Sequence, residues 1–206
     1  MFQNRDDAAR QLARQLEGYR ASRPLVLAIP RGAVPMGKTL AELLGGELDV
    51  VLVRKLRAPG QPEVAIGAID ESGWSYIAPY AAQVGADEDY IADEKKQQLA
   101  TLRARRAQYS PIHPPIDPSG RTVIVVDDGL ATGATMVAAL HALRHRGAAK
   151  LICAVPVASP RALDLVRPLA DEVVCLHAPE YFQAVGQFYR VFNQVEDNEV
   201  VKLLAD

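Results

Sequence analysis

No window of this chain approaches the roughly 18 uninterrupted apolar residues that a membrane-crossing helix needs. The first stretch, MFQNRDDAARQLARQLEG, lacks the apolar block of a secretory signal and has the pattern of a charged amphipathic helix. Neither sign of charge dominates: 23 Lys and Arg stand against 25 Asp and Glu, which gives no overall attraction for nucleic acid. Cysteine is scarce. Cys153 and Cys175 both sit inside apolar runs, which fits buried free thiols and a reducing cytoplasm better than a disulfide. No G-x-S-x-G elbow and no Ser/His/Asp arrangement is visible. His141 and His145 are four apart on a helical stretch, but no nearby carboxylate or cysteine completes a metal site, and His113 and His177 are isolated. What is present is ordinary for a globular protein: 49% hydrophobic and 23% charged residues exclude a disordered, collagen-like or coiled-coil chain. Its 206 residues suit one compact unit.

Val- and Ile-rich runs alternate with helical stretches. Strands are expected at Leu25 to Ile29, Leu48 to Val53, Val64 to Ile69, Thr122 to Val126, Leu151 to Val155 and Glu172 to Leu176, with a short antiparallel strand at Trp74 to Ile77. Helices are expected at 4–18, 36–44, 86–108, 134–146 and 160–169. The run Thr122 to Val126 is apolar at successive positions, as for a strand covered on both faces. This alternation predicts an α/β fold, a mainly parallel twisted sheet flanked by helices. The proline-rich piece Ser110 to Gly120 reads as an extended connector. The helix at 86–108 opens with Asp87, Glu88 and Asp89 and closes with Arg103, Arg105 and Arg106, the order that the helix dipole favours.

The segment Thr122 to Thr135, TVIVVDDGLATGAT, carries most of the functional information. A strand runs into two adjacent carboxylates, Asp127 and Asp128, then a small-residue turn, then a helix. Ligands of open α/β sheets bind beyond the carboxyl ends of the strands. The turn Ala131, Thr132, Gly133, Ala134, Thr135 lacks bulk, so its N–H groups can approach an anion, and the helix it opens favours phosphate. Two carboxylates beside a phosphate cradle call for a hydroxyl-rich ligand, because they accept hydrogen bonds and repel anions. A ribose 5-phosphate unit meets both demands.

This segment closely resembles the phosphoribosyl pyrophosphate motif of the type I phosphoribosyltransferases, with the acid pair and the small-Thr-Gly-x-Thr loop matching position by position. One departure is Gly129, where most members carry a branched apolar residue, and a glycine there is expected to loosen the turn. The loop Ala28 to Gly37 is similar to the family's pyrophosphate loop, with Arg31 and Gly32 as pyrophosphate ligands and a strained or cis peptide expected at Arg31–Gly32. After the second strand, Arg54, Lys55 and Arg57 bring three cations suited to a pyrophosphate. The resemblance implies a Rossmann-like core at about 20–176, a hood from about 1–19 and 177–206, and a mobile excursion at Arg57 to Glu63 that folds over the site. It further implies transfer of the phosphoribosyl group to a nitrogenous base in nucleotide salvage. Asp127, Asp128 and Lys55 would be catalytic, and Mg²⁺ would be held mainly by the substrate with Asp127 and Asp128 as its protein ligands. The family is compatible with a homodimer. The stretches Ala178 to Phe182, Val185 to Tyr189 and Phe192 look like an uncharacterised branch of it. Tyr181 and Phe182 could stack on a flat base or simply pack the final helices.

Two rivals stay open. Gly32 to Thr39 satisfies the G-x-x-x-x-G-K-T pattern of a nucleotide hydrolase with Lys38 as its lysine, although Pro35 removes one N–H from such a loop. A regulatory protein that senses phosphoribosyl pyrophosphate without turning it over would use the same contacts as an enzyme.

Overall fold

A computed structural model describes residues 1–206. Five parallel strands form the central sheet: β1 (Leu25–Ala28), β2 (Glu47–Val50), β6 (Thr122–Val126), β7 (Lys150–Val157) and β8 (Glu172–His177), in the order β2-β1-β6-β7-β8. A second, antiparallel sheet holds β3 (Val53–Ala58), β4 (Gln61–Asp70) and β5 (Ser75–Ile77) in that order. The helices are α1 (Arg5–Leu16), α2 (Val34–Leu44), α3 (Glu88–Tyr109), α4 (Ala134–His145), α5 (Pro160–Val166) and α6 (Asp197–Ala205).

Successive side chains of a strand face opposite ways, and the inner strands use both faces. Val26, Ala28, Ile124, Val126, Ile152 and Ala154 enter one core with residues of α1 and α2, while Leu25, Leu27, Val123, Val125, Leu151, Cys153 and Val155 enter the other with α4 and α5. Burial on both sides is why these strands are continuous apolar runs. Gly37 lets α2 lie close to the sheet: a Cβ there would sit 2.9 Å from that of Ala28. Local signals set the helix starts. The Asn4 side chain accepts the Asp7 N–H at 2.9 Å, and the Asp87 side chain accepts the Tyr90 N–H at 2.8 Å.

Several boundaries depart from the sequence expectation. The run Leu48 to Val53 is two elements, because β2 ends at Val50 and Val53 already pairs with Asp70 in the second sheet. All of Val50, Val51, Leu52 and Val53 are buried, so no polar residue marks the break. The strand expected at Val64 to Ile69 belongs to this antiparallel sheet and not to the parallel one. The excursion expected at Arg57 to Glu63 is a tight hairpin between β3 and β4, turning at Pro59 and Gly60, where φ is 68°. The helix expected at 36–44 starts at Val34, and that at 160–169 ends at Val166, followed by a 3₁₀ turn, Arg167–Leu169.

The two ends of the chain meet. Phe2 donates its N–H to the Phe188 carbonyl at 2.8 Å, Arg190 donates to the Phe2 carbonyl at 2.9 Å, and Val191 donates to the Gln3 carbonyl at 3.0 Å.

Candidate functional site

The carboxyl ends of β1 and β6, neighbours in the sheet, lie at the same edge, the edge at which open α/β sheets bind their ligands. From β6 the chain enters Asp127 and Asp128. The Asp127 carboxyl folds back to accept the Asp128 N–H at 2.9 Å. Burial and the negative charge of Asp128 push the Asp127 carboxyl well above its ordinary value. Burial also raises Asp128, and the Arg5 guanidinium beside it works in the opposite direction. The Arg5 Nη2 and Nε lie 3.2 and 3.3 Å from Asp128 Oδ2. From the backbone side, Tyr189 donates its hydroxyl to the Asp128 carbonyl at 2.6 Å. Burial and the two carboxylates raise the Tyr189 phenol, so it remains a donor.

The following turn is bound to the sheet by its own backbone. Leu130 donates to the Val157 carbonyl at 3.0 Å and accepts from the Ser159 N–H at 2.9 Å, and the Ser159 hydroxyl donates to the Ala131 carbonyl at 2.7 Å. Gly133 caps α4 at φ 82°, a left-handed conformation that favours glycine, with Ala162 too close to welcome a side chain. The Thr132 hydroxyl accepts the Ala134 N–H at 3.3 Å. Ala131 and Thr132 are exposed, Thr135 is half-buried, and the first N–H groups of α4 have no helical partner. A small anion can be held here by backbone N–H groups and the helix dipole, with hydroxyl-accepting carboxylates a few residues away.

Gly129 departs from the expected loosening. A Cβ there would lie 2.7 and 2.9 Å from the two methyls of Val185 and 3.0 Å from a methyl of Val157. The residue is bare because the C-terminal segment packs directly onto it.

At the end of β1, the cis peptide joins Pro30 and Arg31, one bond before the Arg31–Gly32 bond where the sequence placed it. Arg31 lies 3.6 Å from both Glu196 and Asp197. Gly32 abuts the acid pair: a Cβ there would come within 2.5 Å of Asp128 Oδ2. The cations expected at the end of the second strand are instead on β3. Arg54 donates from Nε to Gln98 Oε1 at 2.7 Å, and Arg57 pairs with Glu94 at 3.1 Å. Burial and the nearby charges of Arg105, Arg57 and Arg31 pull the Arg54 guanidinium below its ordinary value, which marks a cluster of four arginines. Asp197 threads this cluster, 3.7 Å from Arg105 and accepting the Tyr109 hydroxyl at 3.2 Å. Lys55 does not join it: successive residues of a strand face opposite sides, and Lys55 stands 3.8 Å from Glu63.

The two aromatic residues expected to stack on a base also separate. Tyr181 is 89% exposed, whereas the Phe182 ring packs 5.0 Å from that of Phe188. Beside them, between α1 and the end of β8, a cavity of about 480 Å³ is lined by Phe2, Gln11, Leu176, His177, Gln187 and Phe188, together with Met1. The pattern Gly32 to Thr39 does not form a phosphate-wrapping loop, because α2 begins at Val34. Lys38 sits in its second turn, 3.8 Å from Glu42, and Thr39 donates to Asp6 at 2.9 Å. His141 and His145 stack, with His141 3.5 Å from the Trp74 ring, so their spacing serves packing against the second sheet.

Arg5, Glu196 and Asp197 have no place in the sequence reading, and Tyr189 and Phe192 enter it only through the family resemblance, with no role at the acid pair. Arg5 had one local signal: a cation at the first position of a helix opposes the dipole, which favours anions there.

No helix is long and apolar enough to cross a membrane. Residues 1–192 match the phosphoribosyl transferase domain family. A protein of Mycobacterium tuberculosis H37Rv, whose name assigns it provisionally to the phosphoribosyl transferases, is 41% identical over 206 residues, 99% of this chain and 46% of that protein. The chain therefore spans about half the length of that curated relative. A uracil phosphoribosyltransferase of Streptococcus equi subsp. zooepidemicus is 31% identical over 158 residues, 77% of this chain and 66% of the relative. Among solved structures, TT1426 from Thermus thermophilus superposes with a TM-score of 0.83 at 43% identity, covering 100% of this chain and 98% of that one. A hypoxanthine phosphoribosyltransferase of Staphylococcus aureus shares the fold alone, at TM-score 0.50 and 16% identity over 86% of this chain and 74% of that one. With an acid pair at the end of β6, a glycine-capped turn leading into α4 and this match along most of its length, the chain belongs to the phosphoribosyl transferase domain family, with the type I fold.

Proposed function

We propose that the chain binds phosphoribosyl pyrophosphate and transfers its phosphoribosyl group to a nitrogenous base. The observation that carries this reading is the sequence of groups along one edge: Asp127 and Asp128, then Ala131 to Thr135 leading into α4 across the left-handed Gly133. In the proposed reaction a ring nitrogen of the base attacks C1 of the ribose, the bond from C1 to pyrophosphate breaks with its electron pair leaving on the pyrophosphate oxygen, and the base releases its N–H proton to solvent. The sugar gains positive character on the way, so the protein contributes mainly position and charge.

In this reading the turn 131–135 holds the 5-phosphate, and Asp127 and Asp128 accept the ribose hydroxyls and face the developing charge. Arg31 and Arg54 attract the leaving group. Lys55 would have to reach the ligand from the other face of β3. The hairpin of β3 and β4 would serve as cover, and the paired chain ends as the hood. The 480 Å³ cavity, with aromatic walls and the polar ends of Gln11, His177 and Gln187, is the place for the acceptor base. Magnesium fits this donor set. No three carboxylate, histidine or cysteine side chains gather anywhere in the chain, so a hard cation would be held by Asp127 or Asp128 and otherwise by substrate oxygens. Bound there, it would neutralise pyrophosphate charge.

A non-catalytic sensor of the same ligand is the second reading. It is favoured by the fact that Arg31, Arg54 and Arg57 each already have a protein partner. Incubation with phosphoribosyl pyrophosphate, Mg²⁺ and a panel of purine and pyrimidine bases separates the two. Pyrophosphate release with one of the bases is expected; tight binding with no release from any base would leave the sensor.

A further inference from the structure

We infer that Arg5 is a positioning residue of the ribose end of the site, fastening the Asp128 carboxylate through Oδ2 in the orientation in which it accepts a ribose hydroxyl. This inference rests on the phosphoribosyl reading given above.

Both guanidinium contacts go to the same atom, Oδ2, so Oδ1 is not taken by Arg5. The guanidinium is itself fastened on two further sides. Its Nη1 donates to the Asn193 carbonyl at 2.6 Å, and its central carbon lies 4.1 Å from the centroid of the Phe192 ring. Its side chain is only 12% exposed. The Phe192 ring in turn lies 4.9 Å from the ring of Tyr189, whose hydroxyl donates to the Asp128 carbonyl. The contacts therefore close a circuit: side chain of Asp128, Arg5, Phe192, Tyr189, backbone of Asp128. A residue fixed on every side is a support and not a mobile plug, and groups held in place before binding lose little entropy when the ligand arrives.

Two further features fit this role. Arg5 occupies the first position of α1, against the helix dipole, so its place is set by Asp128 and Phe192 and not by helix propensity. Gly32 leaves the room that the pair needs, because a Cβ there would stand 2.5 Å from Asp128 Oδ2 and 3.2 Å from Arg5 Nη2. Three segments remote in sequence thus converge on one carboxylate. The charge of Arg5 also makes it easier to keep Asp128 next to Asp127 and close to an anionic ligand.

The test is calorimetric titration of wild type, Arg5→Gln and Arg5→Lys with two probes, ribose 5-phosphate and inorganic phosphate. Losing a charge-assisted hydrogen bond should weaken ribose 5-phosphate binding by Arg5→Gln about 10- to 100-fold and leave inorganic phosphate binding unchanged. Lysine keeps the charge without the planar fork and should restore part of the loss. Phe192→Leu, which removes the ring beneath the guanidinium and keeps the charge, should lose selectivity for the sugar in the same direction by less; it remains informative if Arg5→Gln fails to fold. Equal loss for both probes would show a merely structural role. Unchanged or tighter ribose 5-phosphate binding by Arg5→Gln would show a plug or a bystander. Either result overturns the inference. If wild type itself ignores ribose 5-phosphate, the phosphoribosyl reading fails first and takes this one with it.

Discussion

Replacing Gly129 with alanine tests how tightly the C-terminal segment is seated on the acid pair. A glycine-to-alanine change at an ordinary backbone conformation stabilises a protein by about 0.4–1 kcal/mol, because the unfolded chain loses freedom. Gly129 has no left-handed φ, so sterics decide the sign. The added carbon would meet the Val185 methyls at 2.7 and 2.9 Å and a Val157 methyl at 3.0 Å. Comfortable carbon contacts are about 3.5–4.0 Å, so the Val185 turn must retreat by roughly 1 Å. Val157 is part of β7 and cannot retreat with it. Overpacking of this kind costs about 1–3 kcal/mol, which outweighs the entropic gain. For a chain of this size each kcal/mol moves Tm by about 2–4 °C, so a fall of roughly 2–8 °C is expected. Val185→Ala removes the two closer methyls and leaves only the Val157 contact at 3.0 Å. Gly129→Ala should therefore cost clearly less in the Val185→Ala background than in wild type, a non-additivity that reports direct contact. Thermal melting of the four proteins is the assay. A rise in Tm for Gly129→Ala, or strictly additive losses, would refute the packing explanation for this glycine.

Other expectations follow from the same geometry. The Asp127 carboxyl is raised above 3.8 in the fold by burial and by Asp128, so its stabilising share is complete below that value and is lost as pH rises through the folded value. Asp127→Asn still offers an oxygen to the Asp128 N–H and cannot ionise. It should melt above wild type at about pH 8, with the gap closing toward about pH 4, and a gap independent of pH would contradict this. Gly32→Ala drives a Cβ to within 2.5 Å of Asp128 Oδ2. Ribose 5-phosphate affinity should fall at least tenfold (roughly, from the lost carboxylate geometry) with little change at the phosphate turn, and calorimetry with both ribose 5-phosphate and inorganic phosphate reads the difference.

What could be read from the sequence is what lies close together in the chain. Strand, acid pair, small-residue turn and helix follow one another within Thr122 to His145, and each leaves its own mark: unbroken burial, paired carboxylates, a capping glycine. The break between β2 and β3 left none, because Val51 and Leu52 are as buried as the strands they join and no glycine, proline or asparagine punctuates them. Reading that run as one strand carried Arg54, Lys55 and Arg57 to the end of the parallel sheet. They lie in the antiparallel sheet, where Arg54 and Lys55 face opposite ways. The contacts of Arg5 with Asp128 and of Arg31 with Glu196 and Asp197 span more than a hundred residues, and no local pattern announces a partner that far away. Gly129 illustrates a different failure. Its departure from the family pattern was visible, but its cause, Val185 lying against it, exists only in the fold.

The most direct measurement is calorimetric titration with phosphoribosyl pyrophosphate of the wild-type chain and of the variant carrying Asp127→Asn and Asp128→Asn. Heat of binding in the wild type, largely lost in the folded double variant, is the expected result. Equal binding by both proteins, or none by the wild type, would contradict a phosphoribosyl site at the end of β6.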